Sequence, residues 1–285
     1  MSAISKIQWT DRTWNPVRGC SIVSPGCVNC YAMKQAHRFG GPGKAYEGLT
    51  KQTSAGPQWT GRIRELTGAL EEPFSWRKPT RVFVNSMSDL FHEGVDFNFI
   101  AAVWRAMAQN QRHTFQILTK RPARMLEFTQ WMAGEDHISI AEWPRNVWLG
   151  VSAEDQQRAD ERIPLLLQTP AAVRFVSAEP LLGQIDFVTG GEVTEVGHIN
   201  WLRGLKGSDS AIPALDWIIV GGESGPRARV GDGAWIRSIV SQCQSAHVPV
   251  FVKQMGTRPH LRDRKGGDPS EWPEDLRVRE FPAAS

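Results

Sequence analysis

Three of the four cysteines in this 285-residue chain lie close together near its start, and the fourth is far away. Cys20, Cys27 and Cys30 form the pattern C-x6-C-x2-C, with Pro25 and Gly26 between them. Such turn-forming residues allow the loop to fold back and direct three sulfur atoms at a common centre. Clustered thiols in a chain with too few cysteines for a disulfide scaffold indicate a metal site.

The number of cysteines leaves three interpretations open. A structural zinc site requires a fourth ligand, which His37 could supply in the pattern C-x6-C-x2-C-x6-H. A 4Fe-4S cluster held by three cysteines keeps one iron open to a further ligand. The three thiols could also be reduced and partly buried without any metal.

The remaining cysteine, Cys243, follows a helical pattern of apolar residues. Trp235, Ile236, Ile239 and Val240 precede it at the spacing of one helix face. A lone cysteine on such a face behaves as a small hydrophobic residue. We therefore assign Cys243 to the core.

The elements that must position the cysteines are short apolar runs separated by helical patterns. These runs are RVFV at 81–84, TFQIL at 114–118, VWLGV at 147–151, VRFVS at 173–177, DWIIV at 216–220 and VPVFV at 248–252. A further short strand is expected near Trp14 to Val17, just ahead of the cysteines. The alternation predicts an α/β fold, a partial or closed (β/α) barrel of about six to seven parallel strands. An open doubly wound sheet is the alternative.

Polar or glycine-rich turns follow each of these runs. In parallel α/β proteins the ligand lies at the carboxyl edge of the strands, so these turns predict a site whose other wall is the cysteine loop. Lys120, Arg121 and Lys253, with the amide of Gln254, could bind a substrate phosphate or carboxylate. Glu223, within a glycine-rich turn, adds a carboxylate to the same predicted edge.

Three segments do not fit the strand–helix repeat. Residues 33–80 and 189–213 interrupt it and are predicted to be insertions that could serve as lids. Residues 258–285 are rich in charge and proline, which predicts an irregular segment that packs on the barrel. The predicted organisation is therefore one embellished barrel domain, 1–257, followed by this segment.

Composition excludes several classes of protein. The hydrophobic content of 41% is too high for a disordered chain. No apolar run approaches the roughly 18 residues that cross a bilayer, and the first residues lack the apolar region of a secretion signal. We therefore expect a cytoplasmic protein without a membrane partner. The net charge of +3 permits a polyanionic partner without requiring one.

Seven motifs in a fixed order resemble those of a known family. The string TWNPVRGCSIVSPGCVNCYA is followed by VFVNSMSDLFH, ILTKRP, LGVSAE, FVSAEPLLG, IIVGGESG and VFVKQMG. Together they resemble the radical S-adenosylmethionine (radical SAM) superfamily, in a subfamily common in phages and prophages. The superfamily's commonest pattern is C-x3-C-x2-C with an aromatic residue before the last cysteine. Here the first gap is six residues, Asn29 precedes Cys30, and the aromatic Tyr31 follows it.

The resemblance implies a radical mechanism. The open iron of the cluster would be chelated by the amino and carboxylate groups of S-adenosylmethionine, and one electron would cleave a sulfur–carbon bond of that cofactor. The resulting 5′-deoxyadenosyl radical would abstract hydrogen from the substrate. The turn after the RVFV strand would bind the methionine amino group, and other strand ends would bind the rest of the cofactor. The implied cofactor-binding residues are Asn85, Ser86, Ser88, Asp89, Ser152, Glu154, Glu179 and Tyr31.

A nucleic acid or a free nucleotide is the expected substrate. Residues 33–81 hold nine Lys or Arg against four Asp or Glu, and Trp59 and Trp76 lie among them. Basic and aromatic side chains suit phosphate contacts and base stacking, although an ordinary solvated surface has the same composition. The resemblance to phage-type enzymes implies modification or lesion repair of DNA bases, with a flavodoxin- or ferredoxin-like electron donor.

Two other classes of function compete with this reading. One is a zinc-stabilised nucleic-acid-binding protein without catalysis, in which His37 completes the metal site. The other is a metal-free hydrolase that uses Glu179 or Glu223, although the chain lacks a G-x-S-x-G nucleophile turn.

Overall fold

The computed structural model describes residues 3–134, 143–190, 193–194, 197–205, 211–258 and 261–283. The chain divides into two compact units, Met1–Trp148 and Leu149–Ser285. Among the described residues, seven strands run parallel to a neighbour and helices occupy most of the connections between them. The predicted α/β class with six to seven parallel strands is therefore confirmed. No helix in the described ranges is both long and apolar enough to cross a membrane.

The described elements of the first unit are β1 (Ala3–Ile4), β2 (Arg12–Trp14), β3 (Val17–Arg18), α1 (Tyr31–Arg38), β4 (Thr50–Thr53), β5 (Gly56–Trp59), β6 (Arg64–Glu65), β7 (Arg81–Val84), α2 (Phe97–Gln109), β8 (Thr114–Thr119) and α3 (Pro122–Gly134). One sheet segment has the strand order β1-β2-β7-β8, in which β2, β7 and β8 are parallel. Within residues 33–80, β4 and β5 form a hairpin, and β6 pairs with β3, which precedes that segment.

The described elements of the second unit are β9 (Val147–Ser152), α4 (Gln156–Gln168), β10 (Arg174–Ala178), β11 (Val193–Thr194), β12 (Gly197–His198), β13 (Trp217–Gly221), α5 (Gly233–Ala246) and β14 (Val250–Gln254). Its sheet segment has the strand order β9-β10-β13-β14, and these four strands are parallel. Every residue of β9 and β13 is buried, which explains why their sequences are continuous apolar runs rather than alternating ones.

The structure tests two positions predicted from the sequence, that of Cys243 and that of the first strand. Cys243 is fully buried on α5, which confirms its assignment to the core. The first strand expected near Trp14 to Val17 is present but lies earlier in the chain, because β2 ends at Trp14. Pro16 has no N–H to donate to a ladder, and the chain resumes only as the short β3.

The C-terminal segment belongs to the second compact unit. The amide of Val252 donates to the carbonyl of Val278, and the amide of Glu280 donates to the carbonyl of Val250, both at 2.9 Å. Trp272 is buried as well, although it lies in irregular structure. These contacts place the segment against β14, which is why it does not form a compact unit of its own. Part of the predicted insertion 189–213 lies outside the described residues.

A buried histidine in the first unit leads to a pH-dependent prediction. His113 lies between the rings of Trp76 and Phe115, and its burial, with the charge of Arg112, lowers its pKa. The unfolded chain therefore binds the proton more readily. The stability that the neutral, buried His113 ring contributes is fully present above the unfolded pKa of about 6.5 and is lost as the pH falls below that value.

We expect the free energy of unfolding to fall as the pH is lowered from 7.5 to 5.5, because the unfolded chain then binds a proton that the buried His113 ring does not. Urea unfolding of the metal-free protein at both pH values measures this fall. His113→Leu should show a smaller fall, because Leu has no proton to bind. An equal fall in both proteins would show that His113 does not contribute.

Candidate functional site

The cysteine loop, residues 19–30, connects β3 to α1 in the first unit. Gly19 begins the loop with a φ of +94°, and a Cβ built there would lie 2.1 Å from the carbonyl oxygen of Arg62. Only glycine fits at this close approach. A short 3₁₀ turn ends at Cys27, and Cys30 is the N-cap residue of α1. The loop therefore presents its cysteines from a sharp bend and a helix start.

All three loop cysteines are free thiols of intermediate exposure. Cys20 and Cys30 pack against one hydrophobic cluster that includes residues of α1. Burial raises the pKa of the Cys20 thiol to about 12, and Asp89 adds to the rise while Arg121 opposes it. Burial also raises the pKa of Cys30, while the backbone amide of Met33 opposes the rise. Both thiols therefore hold their protons in the metal-free chain, and a bound metal would displace those protons.

The loop cysteines and two unpartnered polar groups bear on whether the first unit could hold an iron–sulfur cluster. The described residues contain no group of three or more His, Cys, Asp or Glu side chains that could hold a metal ion. The charges of Cys27 and Cys30 nevertheless affect the pKa of Cys20, so the thiols are close enough to interact. The buried hydroxyl of Ser24 and the buried amide of Asn85 have no hydrogen-bond partner within the described chain. Three soft thiol donors on one loop, which also contains the unpartnered Ser24 hydroxyl, suit an iron–sulfur cluster.

A buried ion pair lies next to Cys20. Arg121 donates from Nη1 to Oδ2 of Asp89 at 2.9 Å, and both side chains are less than 10% exposed. Asp89 also accepts from the hydroxyl of Thr119 at 2.7 Å and from the amide of Lys120 at 3.2 Å. Glu93 accepts from Nε of Arg121 at 3.0 Å. The guanidinium is therefore fixed in place, and its charge acts on the Cys20 thiol.

The same guanidinium holds a serine of the cysteine loop. Nη2 of Arg121 donates to the hydroxyl oxygen of Ser21 at 2.7 Å, and Nε2 of His92 lies 3.0 Å from that oxygen. Sequence reasoning missed Ser21, His92 and Glu93. His92 lies within the motif VFVNSMSDLFH, but its contact with Ser21 spans 71 positions and has no local signal.

The turn after β7 contains four of the residues implied in binding the methionine amino group. Asn85 has a left-handed φ of 59° and is buried. Ser88 donates from its hydroxyl to the carbonyl of Val17 at 2.7 Å, which attaches this turn to β3. Ser86 accepts at its carbonyl from the hydroxyl of Tyr31 at 2.5 Å. The structure thus brings this turn and the start of α1 together, and their contacts with a cofactor stay predictions.

Asp89 and Arg121 differ from the other predicted residues in this unit. Both sequence-based roles, ammonium binding for Asp89 and substrate binding for Arg121, require accessible polar atoms. The structure instead commits these atoms to one another and to neighbouring groups. Their geometry supports a positioning role at the cysteine loop, and the roles toward cofactor and substrate stay predictions.

His37, the fourth ligand of the alternative zinc site, lies in the last turn of α1. Its Nδ1 atom lies 3.2 Å from the hydroxyl of Thr50 on β4, which anchors the helix to the hairpin. This contact gives His37 a structural use that does not involve a metal.

In the second unit, the turn after β9 contains a second buried ion pair. Glu154 is fully buried and accepts from Nη1 of Arg162 at 3.0 Å. The same nitrogen donates to the carbonyl of Ser152 at 2.7 Å. The pair attaches this turn to α4, and Arg162 was not found by sequence reasoning. The predicted contacts of Ser152 and Glu154 with the cofactor stay predictions.

Three predicted residues lie together at the ends of β10 and β14. Glu179, which precedes Pro180 through a cis peptide bond, forms an ion pair with Lys253, whose Nζ lies 3.0 Å from Oε1 of Glu179. A Cβ built at Gly221 would lie 2.6 Å from the same Glu179 carboxylate and 3.3 Å from the side chain of Gln254. A larger residue at 221 would force the Glu179 side chain to shift, so the packing of these side chains accounts for the glycine without a nucleotide.

Glu223, the remaining predicted residue of the second unit, forms an ion pair with Arg229. Its carboxylate accepts from Nη2 of Arg229 at 2.6 Å and from Nε at 3.0 Å, so the contact is bidentate. The Glu223 hydrogen bond raises the pKa of Arg229. Arg229 is partly exposed and was missed from the sequence, because five residues of irregular structure separate the partners. The contact orients the Glu223 carboxylate, and its role toward a substrate stays a prediction.

The expected stacking of bases on Trp59 and Trp76 is wrong. Both rings are at most 8% exposed, and Trp76 packs edge-on against Trp14. Their aromatic character therefore serves the core. The basic residues of the same segment remain largely exposed, namely Arg38, Lys44, Lys51, Arg62, Arg64, Arg77 and Lys78.

The comparisons with known proteins concern nearly the whole chain. A model of the family described as "Protein of unknown function (DUF5131)" matches residues 4–271. The chain belongs to this family. The DUF5131 match includes the cysteine loop, the turn after β7 and all the parallel strands. No curated protein and no solved structure matches the chain.

Proposed function

We propose that this DUF5131 member is a radical SAM enzyme. It would bind a 4Fe-4S cluster through Cys20, Cys27 and Cys30, and S-adenosylmethionine at the remaining iron. When bound, these groups would supply reductive cleavage of S-adenosylmethionine and a 5′-deoxyadenosyl radical that abstracts hydrogen from the substrate. We propose a cytoplasmic location for this oxygen-sensitive chemistry.

One observation supports this proposal most strongly. Three reduced thiols on one sharp loop interact electrostatically and lie beside a fixed, buried guanidinium. Arg121 opposes part of the effect of Asp89 on Cys20, and its buried guanidinium fixes the position of Ser21 in the cysteine loop. His37 is already engaged with Thr50, so three cysteines without a fourth protein ligand is the simpler arrangement.

The chain's own residues suggest how the cofactor is oriented. The amide of Asn85 is buried without a partner in the described chain, at the turn where the family resemblance expects the methionine amino group. An Asn carbonyl can accept from an ammonium group, and its NH₂ can donate to a carboxylate. Tyr31, about half exposed, is held by its hydroxyl on the same turn, and we propose that its ring stacks on the adenine of the cofactor.

The proposed substrate is a nucleoside or a nucleic-acid base. The support is the exposed basic surface of residues 33–81, which could contact phosphates. A base within a duplex would have to be extruded before it reached a buried radical. A flavodoxin- or ferredoxin-like protein is the proposed electron donor. Transfer of deuterium from labelled nucleosides into 5′-deoxyadenosine would identify the substrate.

Release of 5′-deoxyadenosine tests the proposed reaction. The protein is purified and reconstituted with iron and sulfide without oxygen, then incubated with dithionite and S-adenosylmethionine. We expect slow release of 5′-deoxyadenosine even without substrate, and none from a variant that lacks all three loop cysteines. If a fully loaded wild-type protein releases none, the reaction proposed here is wrong.

A further inference from the structure

Ser21, directly after Cys20, lies at the centre of a hydrogen-bond network. Its hydroxyl oxygen lies 2.7 Å from Nη2 of Arg121 and 3.0 Å from Nε2 of His92. Arg121 can only donate, so the first contact uses one lone pair of the serine oxygen. The role of the second contact depends on which nitrogen of His92 holds the proton.

The surroundings of His92 determine that tautomer. The amide of Gly94 donates to Nδ1 of His92 at 3.0 Å, whereas the Glu93 carboxylate lies farther from that nitrogen, at 3.5 Å, so Nδ1 is an acceptor and has no proton. The imidazole proton therefore lies on Nε2, which donates to Ser21. Burial, with the charge of Arg121, lowers the pKa of His92 and favours this neutral ring. The hydroxyl oxygen of Ser21 thus accepts two hydrogen bonds.

Two accepted hydrogen bonds fix the direction of the serine's own proton. A hydroxyl has two lone pairs and one hydrogen, so both lone pairs of Ser21 are used and its hydrogen remains to be donated. No acceptor for this hydrogen occurs among the described residues. The neighbouring Cys20 is the proposed cluster ligand closest in sequence, and its Sγ atom lies 3.5 Å from the carbonyl oxygen of Ser21.

We propose that Ser21 donates its hydroxyl hydrogen to a sulfur atom at the Cys20 corner of the bound cluster. His92 and Arg121 act as positioning residues, because they occupy both lone pairs of the hydroxyl oxygen and leave its hydrogen available to another acceptor. This inference rests on the proposed function. Hydrogen bonds to cluster sulfur atoms stabilise the more negative, reduced state, so Ser21 raises the reduction potential of the cluster.

A redox titration followed by visible absorption tests this role. Wild type, Ser21→Ala and Ser21→Thr are reconstituted without oxygen, and iron per chain is measured before the titration. At a fixed potential, Ser21→Ala should lower the ratio of reduced to oxidised cluster by about tenfold, or about 59 mV for a one-electron couple. Ser21→Thr keeps the hydroxyl and should restore most of this loss. Ser75→Ala, which removes an exposed hydroxyl from the same unit, should leave the potential unchanged.

The positioning role has a separate readout. His92→Leu leaves Ser21 in place but frees one of its lone pairs, so it should shift the potential in the same direction by less. The double variant Ser21→Ala/His92→Leu should match Ser21→Ala alone, because His92 acts through the hydroxyl. If Ser21→Ala fails to assemble a cluster, the shift in His92→Leu decides the question.

The two possible failures can be told apart. A wild-type protein that binds no four-iron cluster contradicts the proposed function itself. A wild-type protein that binds the cluster, with the same potential in Ser21→Ala and His92→Leu, contradicts only the role of Ser21.

Discussion

Replacing any one of Cys20, Cys27 or Cys30 with Ala is expected to reduce bound iron from about four atoms per chain to nearly none. Each substitution removes one of only three protein ligands, and two thiolates cannot hold the cluster firmly. The brown colour and the broad visible absorption should disappear with the iron. Iron analysis of proteins reconstituted in parallel without oxygen measures the loss.

Cys243→Ala is the matched control for this prediction. Cys243 is fully buried on α5, and its burial raises the pKa of the thiol to about 12, so it is an unreactive core residue. We expect full iron loading and a cost in stability of about 1 kcal/mol from the lost packing. Equal iron loss from Cys243→Ala would show that the assignment of Cys243 to the core, and of only the three loop cysteines to the metal site, is wrong.

The second large effect is expected from Arg121→Met. The substitution keeps side-chain length but leaves the buried Asp89 carboxylate without its cation, and it also releases Ser21. Breaking a buried pair from one side costs about 3–5 kcal/mol. Urea unfolding of the metal-free protein measures the loss.

An exposed ion pair in the same unit provides the control. Arg81 pairs with Asp11 at 3.1 Å, but the two side chains are 34% and 49% exposed. Arg81→Met should therefore cost less than about 1 kcal/mol. Similar costs for Arg81→Met and Arg121→Met would show that Asp89 is not effectively desolvated, and the network at Cys20 would lose its physical basis.

The strands could be predicted because burial on both faces produces continuous apolar sequences. The run at 81–84 matches β7, and the runs at 147–151 and 216–220 lie within one residue of β9 and β13. The first strand was misplaced because Arg12-Thr13-Trp14 has no such pattern. Its position depends on pairing with β7, which is a tertiary contact.

The cysteines and the strand-end turns could also be predicted, because both are marked by local residue types. The network around Ser21 could not, since its contacts join residues 71 and 100 positions apart. The same reason hid the partners of Glu154 and Glu223. The burial of Trp59 and Trp76 was missed because composition alone does not distinguish a stacking platform from core packing.

Mössbauer spectroscopy of the ⁵⁷Fe-reconstituted protein, with and without S-adenosylmethionine, tests the central proposal most directly. The spectrum should resolve one iron site from the other three, and only that site should change when S-adenosylmethionine is added. Four equivalent sites that do not respond, or a colourless protein with stoichiometric zinc, would contradict an open cluster at the cysteine loop.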